Sequence, residues 1–166
     1  MAQKSIATKI LPNIWIGDKK AASSPQFFKE CKIGAVINMT PSITNYYCDN
    51  EKIEYLRIPV YDSVLKRDTE KMYNYFPVIC EFIHKNAIIE NKNVLIHCHQ
   101  GKQRSAAAAA AFIIKFYKMS PSDAIKHIIN QRSNAFHSGE CVNFAMSLNK
   151  WFYKTQKMRM QKEKIA

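Results

Sequence analysis

Glycine is scarce in this chain, four residues in 166, and prolines number six. A collagen-like or linker-like sequence is therefore excluded. Acidic residues are also in short supply: 13 Asp and Glu stand against 25 Lys and Arg, a net charge of +12. Long apolar runs are missing. The longest uncharged one, residues 106–114, falls far short of the ~20 residues that span a bilayer, so no integral membrane association is expected. The N-terminal MAQKSIATKILPNIWIGD has no sustained apolar stretch before Pro12 and Asp18, and no signal peptide is expected. The five cysteines include no C-x-x-C pair. That argues against a disulfide framework or a zinc ribbon and for a reducing, intracellular compartment.

What is present is an ordinary globular composition. Apolar residues make up 47% of the chain, enough for one real core at this length. No internal repeat, low-complexity linker or domain boundary is visible. The positive charge has two readings, a solvated surface or an anionic partner, and charge alone does not choose between them.

Strand-like and helical runs alternate through the first half. Segments 13–17 (NIWIG), 35–38 (AVIN) and 55–60 (YLRIPV) read as strands. Ser24 followed by Pro25 signals a helix over 25–31, a capping hydroxyl before a proline in the first turn. Met72, Tyr75, Phe76, Ile79, Phe82 and Ile83 recur at three- and four-residue spacing and predict a long helix, with Asp68 and Thr69 available as its cap. Residues 93–97 (NVLIH) form a short, nearly all-apolar run, as expected of a central strand. The second half is mostly helical: 105–117 with six consecutive alanines, a helix opened by Ser120-Pro121, and 141–160 with Phe144, Leu148 and Trp151 on one face. The pattern predicts an α/β fold, a central sheet flanked by helices.

The chemistry concentrates in IHCHQGKQRS, residues 96–105. This stretch follows a strand and opens a helix, where an α/β sheet places its ligands and where a helix N-terminus favours an anion. Cys98 begins the loop; inward amides, the helix dipole and Arg104 all favour its thiolate. Arg104 can hold two oxygens of a phosphate with its planar fork, which Lys cannot. Gly101 opens backbone dihedrals closed to other residues. His97 is placed to orient the loop by hydrogen bonds, and the Ser105 hydroxyl to donate to the Cys98 sulfur as it leaves. Cys31, Cys48, Cys80 and Cys141 lack such a setting and read as small buried hydrophobes.

His97-Cys98-x-x-Gly101-x-x-Arg104-Ser105 resembles the HCxxGxxRS signature of the cysteine-based protein phosphatases. The segments ILPNIWIGDKKAA (10–22), IPVYD (58–62), Ala111 to Ile114 and Gln131-Arg132-Ser133 are similar to the dual-specificity branch of that superfamily, so the resemblance covers about residues 8–152. It implies the small protein-tyrosine-phosphatase-like fold with a central mixed sheet, a catalytic domain over 1–153 and a basic C-terminal helical tail over 154–166.

It also implies a reaction. Cys98 attacks phosphorus, Arg104 clamps the oxygens, and His99, Gln100, Gly101, Lys102, Gln103 and Arg104 form the phosphate-binding cradle. An Asp protonates the leaving oxygen and then activates water. The IPVYD segment places that acid at Asp62. Asp62 lies further ahead of Cys98 than the family's usual spacing and Asp68 lies nearer to it, so both remain in play. The extra residues fit either 63–67 or 86–91. No residue clearly matches the asparagine that supports the loop in many relatives. Lys102 is either a solvent-facing lysine or a second cation for a polyanionic substrate.

The implied partners are phosphoprotein substrates, with phosphate, sulfate or vanadate able to sit in the loop; no metal and no cofactor is implied. The tail, with adjoining Trp151, Phe152 and Tyr153, is compatible with a homodimer. A cytoplasmic location is implied, with nuclear or virion-associated placement and a viral origin left open. The competing readings are a phosphoinositide or RNA 5′-phosphate phosphatase on the same scaffold, and a phospho-binding module without turnover.

Overall fold

The computed structural model describes residues 6–139 and 142–166. Among the described residues five strands form one mixed sheet: β1 (Ala7–Leu11), β2 (Ile14–Gly17), β3 (Ile33–Asn38), β4 (Glu54–Arg57) and β5 (Asn93–His97), in the order β1-β2-β5-β3-β4. Only the β1–β2 pair is antiparallel. The near-continuous apolar run of β5 suits its central place, where parallel strands are covered on both faces; Val94, Leu95 and Ile96 are fully buried.

Two short helices, α1 (Lys19–Ser23) and α2 (Pro25–Glu30), lie on one face. Ala21, Phe27 and Phe28 pack there with Val36 and Leu95. As read from the sequence, Ser24 caps α2 by accepting from Phe27 N at 3.1 Å. The other face carries α3 (Lys66–Ile83), α4 (Arg104–Phe116), α5 (Pro121–Gln131) and α6 (Ala145–Ile165). The alanine run Ala106 to Ala111 is wholly buried in α4. Small side chains bring α3, α5 and α6 close around this helix, and the large rings sit at its borders. Trp151 of α6 packs against Phe76 of α3, and its indole N–H donates to the Ala111 carbonyl at 3.0 Å.

The structure revises several expectations. The strand expected over 55–60 ends at Arg57, and β1, α1 and the 3-10 turn Ala135–Gly139 were not anticipated. Asp68 does not cap α3. Leu65 holds the cap position without a side-chain bond, and Asp68 lies within the first turn, 5% exposed. The helix expected over 141–160 begins at Ala145 and continues to Ile165. Phe144, Leu148 and Trp151, expected on one face of that helix, are all buried in the core. Cys80 is buried as expected, and burial pushes its thiol up to about 12. Cys31 is half-buried and Cys48 exposed, while Cys141 lies outside the described residues. Among the described residues, no helix is long and apolar enough to cross a membrane.

Candidate active site

The loop 98–103 leaves the carboxyl end of β5 and runs straight into α4. Its shape follows from where its carbonyls go. His99 O accepts from Lys19 N at 3.1 Å, Gly101 O from Arg132 Nε at 2.9 Å, and Lys102 O from Phe136 N at 2.8 Å. In a trans peptide the next N–H points the opposite way. The amides of Gln100, Lys102 and Gln103 therefore turn from those anchors toward the pocket that their residues line. The result is a cradle of N–H groups at a helix N-terminus, suited to an anion.

Gly101 is the residue this bend requires. Its φ is +66°, and a Cβ would stand 2.7 Å from an Arg132 nitrogen and 2.8 Å from the Gly17 carbonyl. Both the left-handed backbone and the close approach exclude a larger residue. Arg132, 4% exposed, braces the loop from behind, with its Nη1 donating to Thr8 Oγ1 at 3.0 Å. In the sequence Arg132 stands out only within the Gln131-Arg132-Ser133 segment; its role as a brace needs the three-dimensional contact between the end of α5 and the loop.

Cys98 sits at the base, buried. Its Sγ accepts from Gly101 N at 3.3 Å and lies 3.3 Å from Ser105 Oγ. Arg104, the first residue of α4, donates through Nη1 to Val60 O at 3.1 Å, while its buried Nε meets no hydrogen-bond acceptor among the described residues. Asp62, His99, Gln100, Lys102 and Gln103 complete a pocket of 210 Å³ with Cys98 and Arg104. The fold thus brings Asp62 and five of the residues 99–104 to one pocket with Cys98, while Gly101 reaches the sulfur through its backbone N–H. Asp68 is not among the lining residues.

Two further contacts shape the surroundings. Asn143, in the segment before α6, donates through Nδ2 to Asp62 Oδ1 at 2.6 Å, and its backbone N–H donates to Gln103 Oε1 at 3.1 Å. Sequence reasoning had no signal for Asn143 beyond its being an asparagine in roughly the right region. On the other side of the loop, Lys19, Lys20, Lys102 and Arg132 border a second hollow of 260 Å³, with Asp18 the one acid on its wall among the described residues.

His97 ends β5 beneath the loop, and its Nδ1 lies 3.4 Å from the Cys98 carbonyl, so that nitrogen carries the proton. Burial first, then the Arg57 and Arg104 charges, push its imidazolium down from 6.5 to about 4. The folded protein holds His97 neutral, whereas the unfolded chain protonates it below about pH 6.5. This contribution to stability is full above that value and is lost as pH falls toward 4. A loss of about 3 kcal/mol across the window is expected from such a shift. Urea unfolding at pH 7 and pH 4.5 checks it: the pH difference should shrink in His97→Gln. An unchanged difference would show that His97 is not the titrating group.

The description "Dual specificity phosphatase, catalytic domain" fits a family model matching residues 14–154. The chain belongs to the dual specificity phosphatase family. Among curated relatives, dual specificity protein phosphatase 9 of Homo sapiens is 27% identical over 148 residues, covering 87% of this chain and 37% of that protein. The tyrosine-protein phosphatase vhp-1 of Caenorhabditis elegans is 33% identical over 125 residues, covering 75% of this chain and 18% of the relative. The chain therefore matches well under half the length of these relatives. Among solved structures, DUSP15 superposes with a TM-score of 0.78 at 25% identity, with 95% of each chain covered. Human DUSP28 superposes at 0.78 and 18% identity, with 92% of this chain and 96% of that one covered. The shared architecture is the small phosphatase fold expected for the family, with its mixed sheet and flanking helices.

Proposed function

We propose that this chain hydrolyses phosphotyrosyl and phosphoseryl or phosphothreonyl residues of proteins through a phosphocysteine intermediate. The observation that carries the proposal is the Cys98 sulfur at the floor of an amide-lined pocket, with Asp62 and Arg104 on its walls. In the first step the Cys98 thiolate attacks phosphorus. The bond from phosphorus to the leaving oxygen breaks, and Asp62 gives that oxygen a proton. In the second step water attacks the phosphocysteine while Asp62 takes one of its protons. The S–P bond breaks, and Ser105, 3.3 Å from the sulfur, donates a hydrogen bond to the departing thiolate.

Arg104 and the loop amides meet the charge on the equatorial oxygens in both steps. The Arg104 Nε proton is buried without an acceptor among the described residues. Such a group costs about 1–3 kcal/mol when left unpaired, which supports a site shaped for a phosphate oxygen. His97 positions the nucleophile through the Cys98 carbonyl. No metal or cofactor enters this scheme.

Pocket size suits a protein substrate: at 210 Å³, the pocket has room for one phosphorylated side chain. The basic hollow beyond Lys102 favours phosphopeptides with acidic neighbours. The test is turnover of phosphotyrosyl and phosphothreonyl peptides beside a phosphoinositide and triphosphate-ended RNA. Peptides should be hydrolysed fastest, and vanadate should compete. Preference for the lipid or the RNA would overturn the substrate class, and binding without hydrolysis would reduce the chain to a phospho-binding module.

A further inference from the structure

Asp62 lies on an exposed segment between β4 and α3, flanked by Tyr61 at 59% and Val64 at 70% exposure. A short acidic side chain on such a loop has several staggered rotamers open to it. Among the described residues its carboxylate has one hydrogen-bond partner, the Asn143 side-chain amide at 2.6 Å. The same residue reaches the phosphate loop through its backbone, which donates to Gln103 Oε1 at 3.1 Å. Gln103 is 1% exposed and holds the cap position of α4, so this second contact is anchored in the core. One asparagine thus spans the acid and the cradle.

From this arrangement we infer that Asn143 is a positioning residue, which holds Asp62 over the cradle and sets its distance from the Cys98 sulfur. The inference rests on the reading of Asp62 as the general acid. Asparagine suits the task for two reasons. Its amide donates without carrying charge, whereas Lys or Arg in its place would hold the carboxylate ionised and poorly able to give a proton. Its bond also occupies Oδ1 alone, which leaves Oδ2 for the transferred proton. The dependence on placement is steep, since a displacement of about 1 Å can cost ~10²-fold in rate.

The test is a double-mutant cycle with Asn143→Ala and Asp62→Asn. Alanine at 143 removes the tether but keeps the backbone N–H that supports Gln103. On a phosphothreonyl peptide, whose alkoxide leaves poorly, Asn143→Ala should lower kcat about 10-fold with KM little changed. On an aryl phosphate with a strongly acidic phenol, the loss should be below about twofold, because that leaving group needs little proton donation. In the Asp62→Asn background, Asn143→Ala should cause no further loss. Asn143→Gln, which retains the amide, should recover part of the rate. An equal loss on both substrates, or a further loss in the Asp62→Asn background, would show that Asn143 acts through the phosphate loop and overturn the inference. Unchanged kcat in Asn143→Ala would show an idle contact. A silent Asp62→Asn would remove the acid itself, and the tether with it.

Discussion

Cys98→Ser is expected to lower phosphopeptide turnover by more than about 10⁴-fold, the scale on which removal of a nucleophile acts, while phosphopeptide binding persists. The reason lies in the division of labour at the site. Binding uses the amides of the loop and the Arg104 guanidinium, and neither depends on the sulfur. Serine is close in size to cysteine, so Gly101 and Ser105 keep their places, but a serine hydroxyl has no adjacent base to ionise it. Wild-type Cys98 should also be alkylated by iodoacetate in mildly acidic solution, ahead of the exposed Cys48, with protection by phosphate or vanadate. Exposure alone would predict the reverse order. Mass spectrometry of the modified peptide checks this directly. Near-wild-type turnover in Cys98→Ser, or labelling of Cys48 first, would sink the covalent mechanism.

Asp62→Asn is expected to cut phosphopeptide hydrolysis by roughly 10²–10⁴-fold, the usual size of acid–base catalysis. The loss should be much smaller on an activated aryl ester, whose leaving group needs little proton donation. Asp68→Asn should leave both substrates' rates near wild type. Asp68 sits in the first turn of α3, its nearest cation Arg67 at 3.6 Å, and away from the pocket lining. There a carboxylate interacts favourably with the helix dipole, so its loss should lower stability by up to about 1 kcal/mol. Parallel kinetics and urea melts of the two variants separate these outcomes. Leaving-group dependence in Asp68→Asn with a silent Asp62→Asn would transfer the acid role to Asp68. The length between Asp62 and Cys98 that made Asp68 attractive lies mostly in helix. Only residues 63–65 intervene before α3, which continues into the π-helical segment His84–Ile89.

Local sequence determined a good deal of this protein. The β5 run NVLIH, the Ser24-Pro25 and Ser120-Pro121 helix starts and the alanine helix were all legible, because each depends on residues within a turn or two of one another. The phosphate loop was legible for the same reason: nucleophile, glycine, arginine and serine fall within nine consecutive positions, 97–105. Tertiary structure alone decided what reaches that loop from elsewhere. Arg132 touches Gly101 across 31 positions and Asn143 touches Asp62 across 81; no periodicity or capping pattern encodes such a pair. The same holds for Trp151: the periodicity set it on one face with Phe144 and Leu148, but only the fold shows that its indole meets the Ala111 carbonyl. It holds also for Asp68, which a local rule made a cap and the packing of α3 drew inside the first turn. Short-range geometry is written in the order of residues, whereas the braces that set a loop's carbonyls outward exist only once the sheet has brought distant segments to the same end.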